Sequence, residues 1–377
     1  MRVISCHFHG TRVVHSSMRR ARWLAGWRHS EKKPVFYHCI SRVVDRRFVL
    51  GAEEKEKFRA LMRIHEKFTG CVVTSYCLMD NHFHLLLEVP PLADGGLSDE
   101  DLLKRLSAIY NAAIVAGVAK ELADARREGV EAGVAAIHRR FSYRMHDLGE
   151  FMKGLLQRYT QWHNRTHSRT GRLWEDRFKS VIVEDGVAAR TLAAYIDLNP
   201  VRAGMVKEPA DYRWSSYGEA IGGGSKGHGN RAQAGLVRAW GAHKGMAADA
   251  GLWGGEVSRA YRKLLTGHAA ERLAESVGRD GKMDRKITRK GISRRTAEDA
   301  DRNAGDLPFA KMLRCRIRYF TDGAVIGSRM FVDEAFVRSR SRCGPKRKSG
   351  ARRMRGMAAE AGPWLWSFRD LRTRIGC

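Results

Sequence analysis

The chain has 377 residues, of which 43% are hydrophobic, a composition that suits globular domains with an apolar core. Lysines and arginines number 69 against 41 aspartates and glutamates, which gives a net charge of +28. A surplus of this size is typical of proteins that bind a polyanion, most often nucleic acid. Seven scattered cysteines without a Cys-x-x-Cys pair argue against a zinc ribbon and a disulfide framework. Without a long apolar run or a signal peptide, we expect a cytoplasmic protein.

Strands and helices alternate along the predicted core of the chain. The expected elements are a strand over 35–41, a helix over 52–69, a hairpin over 71–89, a helix that begins after the N-cap Ser98, a helical insertion over 115–140, a helix over 145–165, a strand over 178–183 and a helix over 187–198. This order, with mostly antiparallel neighbours, indicates an α+β fold of the ferredoxin-like type. We expect helices to cover one face of its sheet.

Composition divides the chain into four regions. They are a basic N-terminal extension (1–34), the region that carries the motifs below (35–220), a linker and helical region (221–300) and a basic, mainly helical tail (301–377). The glycine-rich stretch at 222–227 marks the clearest boundary. In the tail, two short helices around Thr321-Asp322-Gly323 predict a DNA-binding element like a helix-turn-helix. The alternative is a basic appendage that holds phosphates without reading sequence.

The most informative motif is His82-Phe83-His84, at the start of the second hairpin strand. Side chains alternate between the faces of a strand, so both histidines face one side while Phe83 and Leu85 face the other. Two neighbouring imidazoles form half of a metal site. They can equally be two hydrogen-bonded histidines without a metal, and the tripeptide alone does not decide between these interpretations.

Tyr195 and Asn199 lie one turn apart on one face of a predicted helix. The amide oxygen of Asn199 can supply a third ligand to a divalent ion held by two histidines. Phenol, with a pKa near ~10, is a weak nucleophile unless a cation or a base assists it. A tyrosine beside such an ion could attack a phosphodiester, and a packed helix residue is the alternative. Tyr159 is the rival nucleophile, although its place beside Phe151 and Leu155 favours a core role.

Five segments carry a combined pattern: YHCISR (37–42), LMDNHFHLL (78–86), GRLWEDRFKS (171–180), AYIDLNPVRAG (194–204) and DYRWSSY (211–217). Together and in this order they resemble the REP-associated tyrosine transposases. These are relatives of the IS200-like single-tyrosine transposases, within the HUH endonucleases named after their His-hydrophobic-His motif. The resemblance covers about residues 35–220.

The resemblance implies a ferredoxin-like catalytic domain that binds Mg²⁺ or Mn²⁺ and cleaves single-stranded DNA near a hairpin. It assigns His82, His84 and Asn199 as metal ligands and Tyr195 as the nucleophile. The enzyme would form a 5′-phosphotyrosine, release a free 3′-hydroxyl and rejoin strands by transesterification without ATP. We expect DNA as the partner and no membrane, and the sequence leaves open whether the protein is a monomer or a homodimer.

Two other functions stay open on the sequence alone. One is a non-catalytic DNA- or RNA-binding regulator descended from such an enzyme, against which the presence of all four site residues counts. The other is a replication initiator or relaxase with the same histidine pair, which the lack of a paired second tyrosine beside Tyr195 disfavours. The segment 221–377 lies outside the compact domain to which the resemblance extends.

Overall fold

The computed structural model describes residues 22–25, 32–92, 94–222, 229–269, 272–277, 283–289, 318–321, 323–343, 345, 347–354 and 365–369. Its strands are β1 (Val35–Arg42), β2 (Val72–Leu78), β3 (His82–Val89), β4 (Lys179–Val183), β5 (Arg272–Val277), β6 (Met283–Arg289), β7 (Gly323–Gly327), β8 (Arg352–Arg353) and β9 (Trp366–Arg369). Its α-helices are α1 (Ala52–Thr69), α2 (Asp99–Leu106), α3 (Ala112–Arg127), α4 (Glu131–Ser142), α5 (Leu148–Thr166), α6 (Val187–Asp197), α7 (Asn199–Ala203), α8 (Ser216–Gly222), α9 (Asn230–Gly241), α10 (Glu256–Ala269), α11 (Arg318–Thr321) and α12 (Arg329–Arg338). Most of the basic extension 1–34 lies outside the described residues.

The first four strands lie side by side in the order β2-β3-β1-β4, and each neighbouring pair is antiparallel. Because α1 connects β1 to β2 and α5 precedes β4, the chain follows the βαββαβ path of a ferredoxin-like fold. The predicted α+β fold is therefore confirmed. The bounds of α1 match the prediction, since Gly70 ends the helix in a left-handed conformation with φ of 72°.

Helices cover both faces of the sheet, whereas the sequence predicted one covered face. α1 and α5 pack on the face that carries Phe83 and Leu85. α6 and α9 pack on the opposite face, which carries Leu86 and the two histidines of β3. Every residue of β3 after His82 is buried, as in a strand that lies between two layers. The sequence does not reveal that both faces are covered, because the two histidines make one face of β3 look polar and therefore exposed.

The segment after the glycine-rich stretch continues the core, although the sequence predicted a boundary there. α9 lies so close to β2 that a Cβ on Gly235 would be 2.5 Å from the carbonyl oxygen of Val73. The guanidinium of Arg238 donates two hydrogen bonds, of 2.6 and 2.7 Å, to the carboxylate of Glu88 on β3. The predicted helical region 221–300 also contains the antiparallel pair β5 and β6. Tertiary contact with the sheet, which composition does not reveal, joins this segment to the core.

Part of the basic tail 301–377 belongs to the same sheet. β7 pairs in parallel with β4, and β9 and β8 follow it to complete the order β2-β3-β1-β4-β7-β9-β8. The predicted pair of helices around Thr321 is therefore interrupted by a strand, while residues 301–317 lie outside the described residues. The physical reason is the apolar run 324–326, which is fully buried between its neighbours. A short apolar run fits a helix or a strand equally well until its pairing partner is known.

The insertion between β3 and α5 forms α2, α3 and α4 around a small apolar core that also includes Phe68 of α1. Its first helix begins as predicted, because Ser98 Oγ accepts a hydrogen bond of 3.0 Å from the backbone N–H of Asp101. Among the helices placed by the structure, none combines the length and the apolar character that a membrane crossing requires.

Replacing Gly235 with alanine should test the packing of α9 on the sheet. Gly235→Ala should lower the free energy of unfolding by about 1–3 kcal/mol, because the new Cβ would overlap the rigid backbone of β2. The matched variant Gly117→Ala places a Cβ in open space on α3 and should raise stability by about 0.5–1 kcal/mol. Urea unfolding measures both effects. An unchanged midpoint for Gly235→Ala would contradict the direct contact.

Candidate functional site

His82 and His84 lie at the beginning of β3, with their rings on the same face of the sheet and ring centroids 5.1 Å apart. His84 is buried and His82 is partly exposed. Phe83 points to the opposite face, where its ring packs 4.8 Å from that of Phe58. The alternation predicted for this motif is therefore present in the structure.

The neighbouring strand β1 adds a buried third histidine that the sequence reasoning missed. The Nδ1 of His38 lies 2.9 Å from the main-chain oxygen of Phe320, and its Nε2 lies 3.0 Å from Nδ1 of His84. Because a carbonyl can only accept, a neutral His38 donates from Nδ1 and accepts at Nε2. His84 must then donate from its Nδ1, which leaves the lone pair of His84 on Nε2.

A second hydrogen-bond chain sets the tautomer of His82 in the same way. The amide nitrogen of Asn81 donates to the main-chain oxygen of Arg46 at 3.0 Å, which orients the amide. Asn81 Oδ1 therefore accepts from Nδ1 of His82 at 2.6 Å, and the lone pair of His82 is on Nε2. Metal-binding histidines typically donate their second ring N–H to an oxygen acceptor in this manner. Both histidines thus have the tautomer that ligation through Nε2 requires.

Burial keeps these imidazoles neutral. Desolvation lowers the pKa of His38 and the pKa of His82 to about 4. Desolvation, together with the nearby rings and the positive charge of Arg42, also lowers the pKa of His84 well below its usual value. A neutral imidazole has the lone pair that a metal ion needs. His82 and His84 are therefore in the binding form at neutral pH.

Tyr195, on α6, lies over the same face of the sheet as the histidines. Its ring centroid is 5.8 Å from that of His84 and 6.2 Å from that of His38, at angles of 88° and 80° between the ring planes. The guanidinium carbon of Arg202 lies 4.8 Å from the centroid of the Tyr195 ring. The structure thus brings the predicted nucleophile, the histidine pair and a cation together, with Tyr195 only 2% exposed.

Asn199 begins α7, one turn after Tyr195. Its amide nitrogen donates to the main-chain oxygens of Tyr195 and Ile196 at 3.1 and 3.2 Å. These bonds hold the nitrogen against the end of α6, so Oδ1 is the atom of this amide that could coordinate a metal. They connect Asn199 to the helix and not to the histidines, so its role as a ligand stays a prediction.

The donor set fits a metal ion only in part. Within the described ranges, no group of three or more His, Cys, Asp or Glu side chains is arranged to hold a metal. A divalent ion at this site would therefore combine the two imidazole nitrogens with oxygen donors, from an amide, from a phosphate or from water. Such a mixed set of nitrogen and oxygen ligands suits Mn²⁺ and Mg²⁺ when a substrate phosphate or water completes the coordination.

Tyr159, the rival nucleophile, lies in the core on the other side of the sheet. It is fully buried, and its ring packs 5.1 Å from Phe58 and 5.8 Å from Trp174. Desolvation raises the pKa of its phenol and so disfavours the phenolate form. This placement agrees with the core role that its position on the apolar face of α5 favoured.

Basic and aromatic side chains border the histidine pair. Arg42 is exposed and pairs directly with His82 across the β1–β3 ladder. The loop that follows presents Arg46 and Arg47, both exposed, and Phe48, which is 78% exposed. Arg46 and the residue before it each have φ of 55°, a left-handed conformation that residues other than glycine rarely adopt. This loop is joined to the site through the bond from Asn81 to the carbonyl of Arg46.

Comparison with known proteins agrees with the motifs. The family described as "Transposase IS200 like" matches residues 32–95, the segment from β1 to the end of the β2–β3 hairpin. Residues 32–95 are therefore similar to the IS200-like transposase family, which agrees with the resemblance that the motifs in this part of the chain carry. No curated protein matches the chain at a significant level.

One solved structure, described as that of a REP-associated tyrosine transposase bound to a REP hairpin, is similar at 13% sequence identity. The similarity covers 55% of this chain and 86% of that chain, with a TM-score of 0.34. A TM-score of this size is too low to support a conclusion about the fold or the ligand of this chain.

The tautomers of the two histidines can be measured directly. In protein labelled with ¹⁵N-histidine, long-range ¹H–¹⁵N correlation spectra at neutral pH should show His82 and His84 protonated on Nδ1. His38→Phe removes the acceptor of His84 but not that of His82, so only His84 should change. A spectrum of the unaltered protein with His84 protonated on Nε2 would contradict the hydrogen-bond chain.

Proposed function

We propose that the chain is a metal-dependent, single-stranded DNA endonuclease and strand transferase of transposase type, which cuts beside hairpin DNA. The observation that carries this proposal is the ring of Tyr195 at 5.8 Å from that of His84, on the face where both histidines have Nε2 lone pairs. A phenol next to two metal-binding imidazoles suits attack on a phosphodiester. The match of residues 32–95 to the IS200-like transposases supports this class of reaction.

His82 and His84 would hold Mg²⁺ or Mn²⁺ through Nε2, with Asn199 Oδ1 as the third protein ligand. When bound, the ion would polarise a phosphate oxygen and stabilise the charge that develops there. Two nitrogen ligands shift the relative affinity towards Mn²⁺. The histidines need no proton transfer to bind it, because burial already keeps them neutral.

Tyr195 supplies the nucleophile in this proposal. Its phenol oxygen bonds to phosphorus, the bond from phosphorus to the 3′ oxygen breaks, and the phenol proton ends on that 3′ oxygen. The products are a 5′-phosphotyrosine and a free 3′-hydroxyl, and attack by a 3′-hydroxyl reverses the step without ATP. Arg202, with its guanidinium carbon 4.8 Å from the ring centroid, would place a positive charge beside the phosphate that Tyr195 attacks.

The single strand would follow the basic rim beside His82. Arg42, Arg46 and Arg47 offer exposed guanidinium groups to phosphates. Phe48 offers an exposed ring on which an unpaired base can stack. The left-handed backbone at Arg46 supports a functional interpretation, because strained conformations persist mainly where function requires them. The net charge of +28 supports a polyanionic partner in general.

One observation favours the alternative function, a non-catalytic nucleic-acid-binding regulator. Tyr195 is 2% exposed, so a phosphodiester can reach its hydroxyl only after a neighbouring group moves. A regulator would bind hairpin DNA but form no covalent product. The formation of an adduct therefore separates the two candidates.

Tyr195→Phe removes the attacking oxygen and keeps the shape of the side chain. With a labelled hairpin oligonucleotide and Mn²⁺, the unaltered protein should form a covalent adduct on denaturing gels, and Tyr195→Phe should form none. Chelation of divalent ions should also abolish the adduct. The control Tyr159→Phe should retain it, because this residue lies in the core on the other face. An adduct that is lost in Tyr159→Phe and kept in Tyr195→Phe would refute the assignment.

Phe48→Ala should weaken binding of a hairpin with a single-stranded flank by about 10-fold, since stacking of one base contributes roughly 1–3 kcal/mol. Fluorescence anisotropy over a range of salt concentrations measures this. The slope of log affinity against log salt concentration should stay the same in Phe48→Ala. In Arg46→Ala this slope should become shallower by about one unit, because one phosphate contact is lost. Tyr143→Ala removes another exposed aromatic ring, on the helical insertion, and should leave affinity unchanged. Equal losses in both aromatic variants would contradict a stacking site at Phe48.

A further inference from the structure

We infer that Phe320, on α11 in the C-terminal region, is a positioning residue for the nucleophile and for His84. The inference rests on the proposed function, because it concerns the same site. It extends that site beyond the segment 32–95 that matches the transposase family. It also gives the C-terminal region a part in the chemistry, in addition to any contact with DNA.

The ring of Phe320 lies against the ring of Tyr195. Their centroids are 4.7 Å apart, with 25° between the ring planes, and Phe320 is 1% exposed. A stacked neighbour limits movement of the whole phenol ring about χ1, which sets where its hydroxyl lies, while the hydroxyl projects from the ring edge and stays outside the stack. His38 and His84 approach the same ring nearly at right angles. Three aromatic side chains thus fix the direction in which the phenol oxygen points.

The main chain of Phe320 is connected by hydrogen bonds, through His38, to the candidate metal ligand His84. Its carbonyl oxygen accepts the hydrogen bond from Nδ1 of His38, and His38 in turn accepts from Nδ1 of His84. Phe320 therefore touches the nucleophile through its ring and sets the tautomer of a ligand through its carbonyl. Phe320 and His38 are 282 positions apart in the chain.

Strand pairing holds Phe320 in this place. β7 follows α11 and pairs in parallel with β4, where Val325 lies opposite Ile182. At the other end of β7, the backbone N–H and the hydroxyl of Ser328 both donate to the carboxylate of Glu184. The pairing of β7 with β4 thereby places one aromatic residue of the C-terminal region at the site on β1 and β3.

Phe320→Ala in the full chain tests the inference, with Phe336→Ala as the matched control. Phe336 is also a buried phenylalanine of the C-terminal region, but it packs on Phe368 at 5.6 Å between ring centroids. Phe320→Ala should slow single-turnover adduct formation by about 10-fold or more, because small errors in orientation are costly in attack geometry. Its affinity for the hairpin should not change. Phe320→Tyr, which keeps the ring, should restore the rate, and Phe336→Ala should react like the unaltered protein below its unfolding temperature.

A fluorotyrosine in place of Tyr195 gives a readout that does not need activity. Its ¹⁹F resonance should shift in Phe320→Ala, because the ring current of Phe320 is lost, and should stay in place in Phe336→Ala. If the unaltered protein forms no adduct, the proposed function fails while this measurement still tests the contact. The inference is overturned if folded Phe320→Ala reacts at the same rate or faster, if its resonance does not move, or if Phe336→Ala is slowed equally.

Discussion

The antiparallel pairing of β1 with β3 is the constraint on which the candidate site depends. Its register places Arg42 opposite His82 and puts His38 on the same face as His84, two positions further along the ladder. A shift by one residue would turn these side chains into the apolar layer under α1 and α5. The large apolar residues on the other face of β3, with Phe83 among them at 0% exposure, hold this register. The packing of the apolar face of β3 thus determines which side chains stand together on the face that carries the histidines.

Burial of the histidines then fixes their protonation and their hydrogen bonds. A buried ring nitrogen needs a partner, and the chain from the carbonyl of Phe320 through His38 to His84 satisfies each nitrogen except Nε2 of His84. Asn81 does the same for His82. The same desolvation that lowers the pKa of these rings therefore selects the nitrogen that each offers to a ligand. This combination is what ligation through Nε2 of His82 and His84 would require.

The segments after residue 220 support the helix that carries Tyr195. Asp197, near the end of α6, is fully buried and accepts hydrogen bonds from the hydroxyl of Tyr261 on α10 and from the backbone N–H of Tyr217. Burial raises the pKa of Asp197 to about 7, because the cost of desolvating the carboxylate exceeds the stabilisation that these donors supply. α6 is thus anchored by α8 and α10 at one end and covered by Phe320 along its site face. The proposed nucleophile, Tyr195, is thus held by parts of the chain that lie outside the family match.

Features that depend on neighbours along the chain could be predicted from the sequence. The bounds of α1, the hairpin, the N-cap at Ser98 and the common face of His82 and His84 follow from periodicity and capping, which act over a few residues. The tertiary structure was needed to establish which strands pair and which distant segments cover each face of the sheet. It separated Tyr195 from Tyr159, which have similar helical surroundings in sequence but lie on opposite sides of the sheet. It also brought in His38 and Phe320, because no local pattern encodes a contact between residues 282 positions apart.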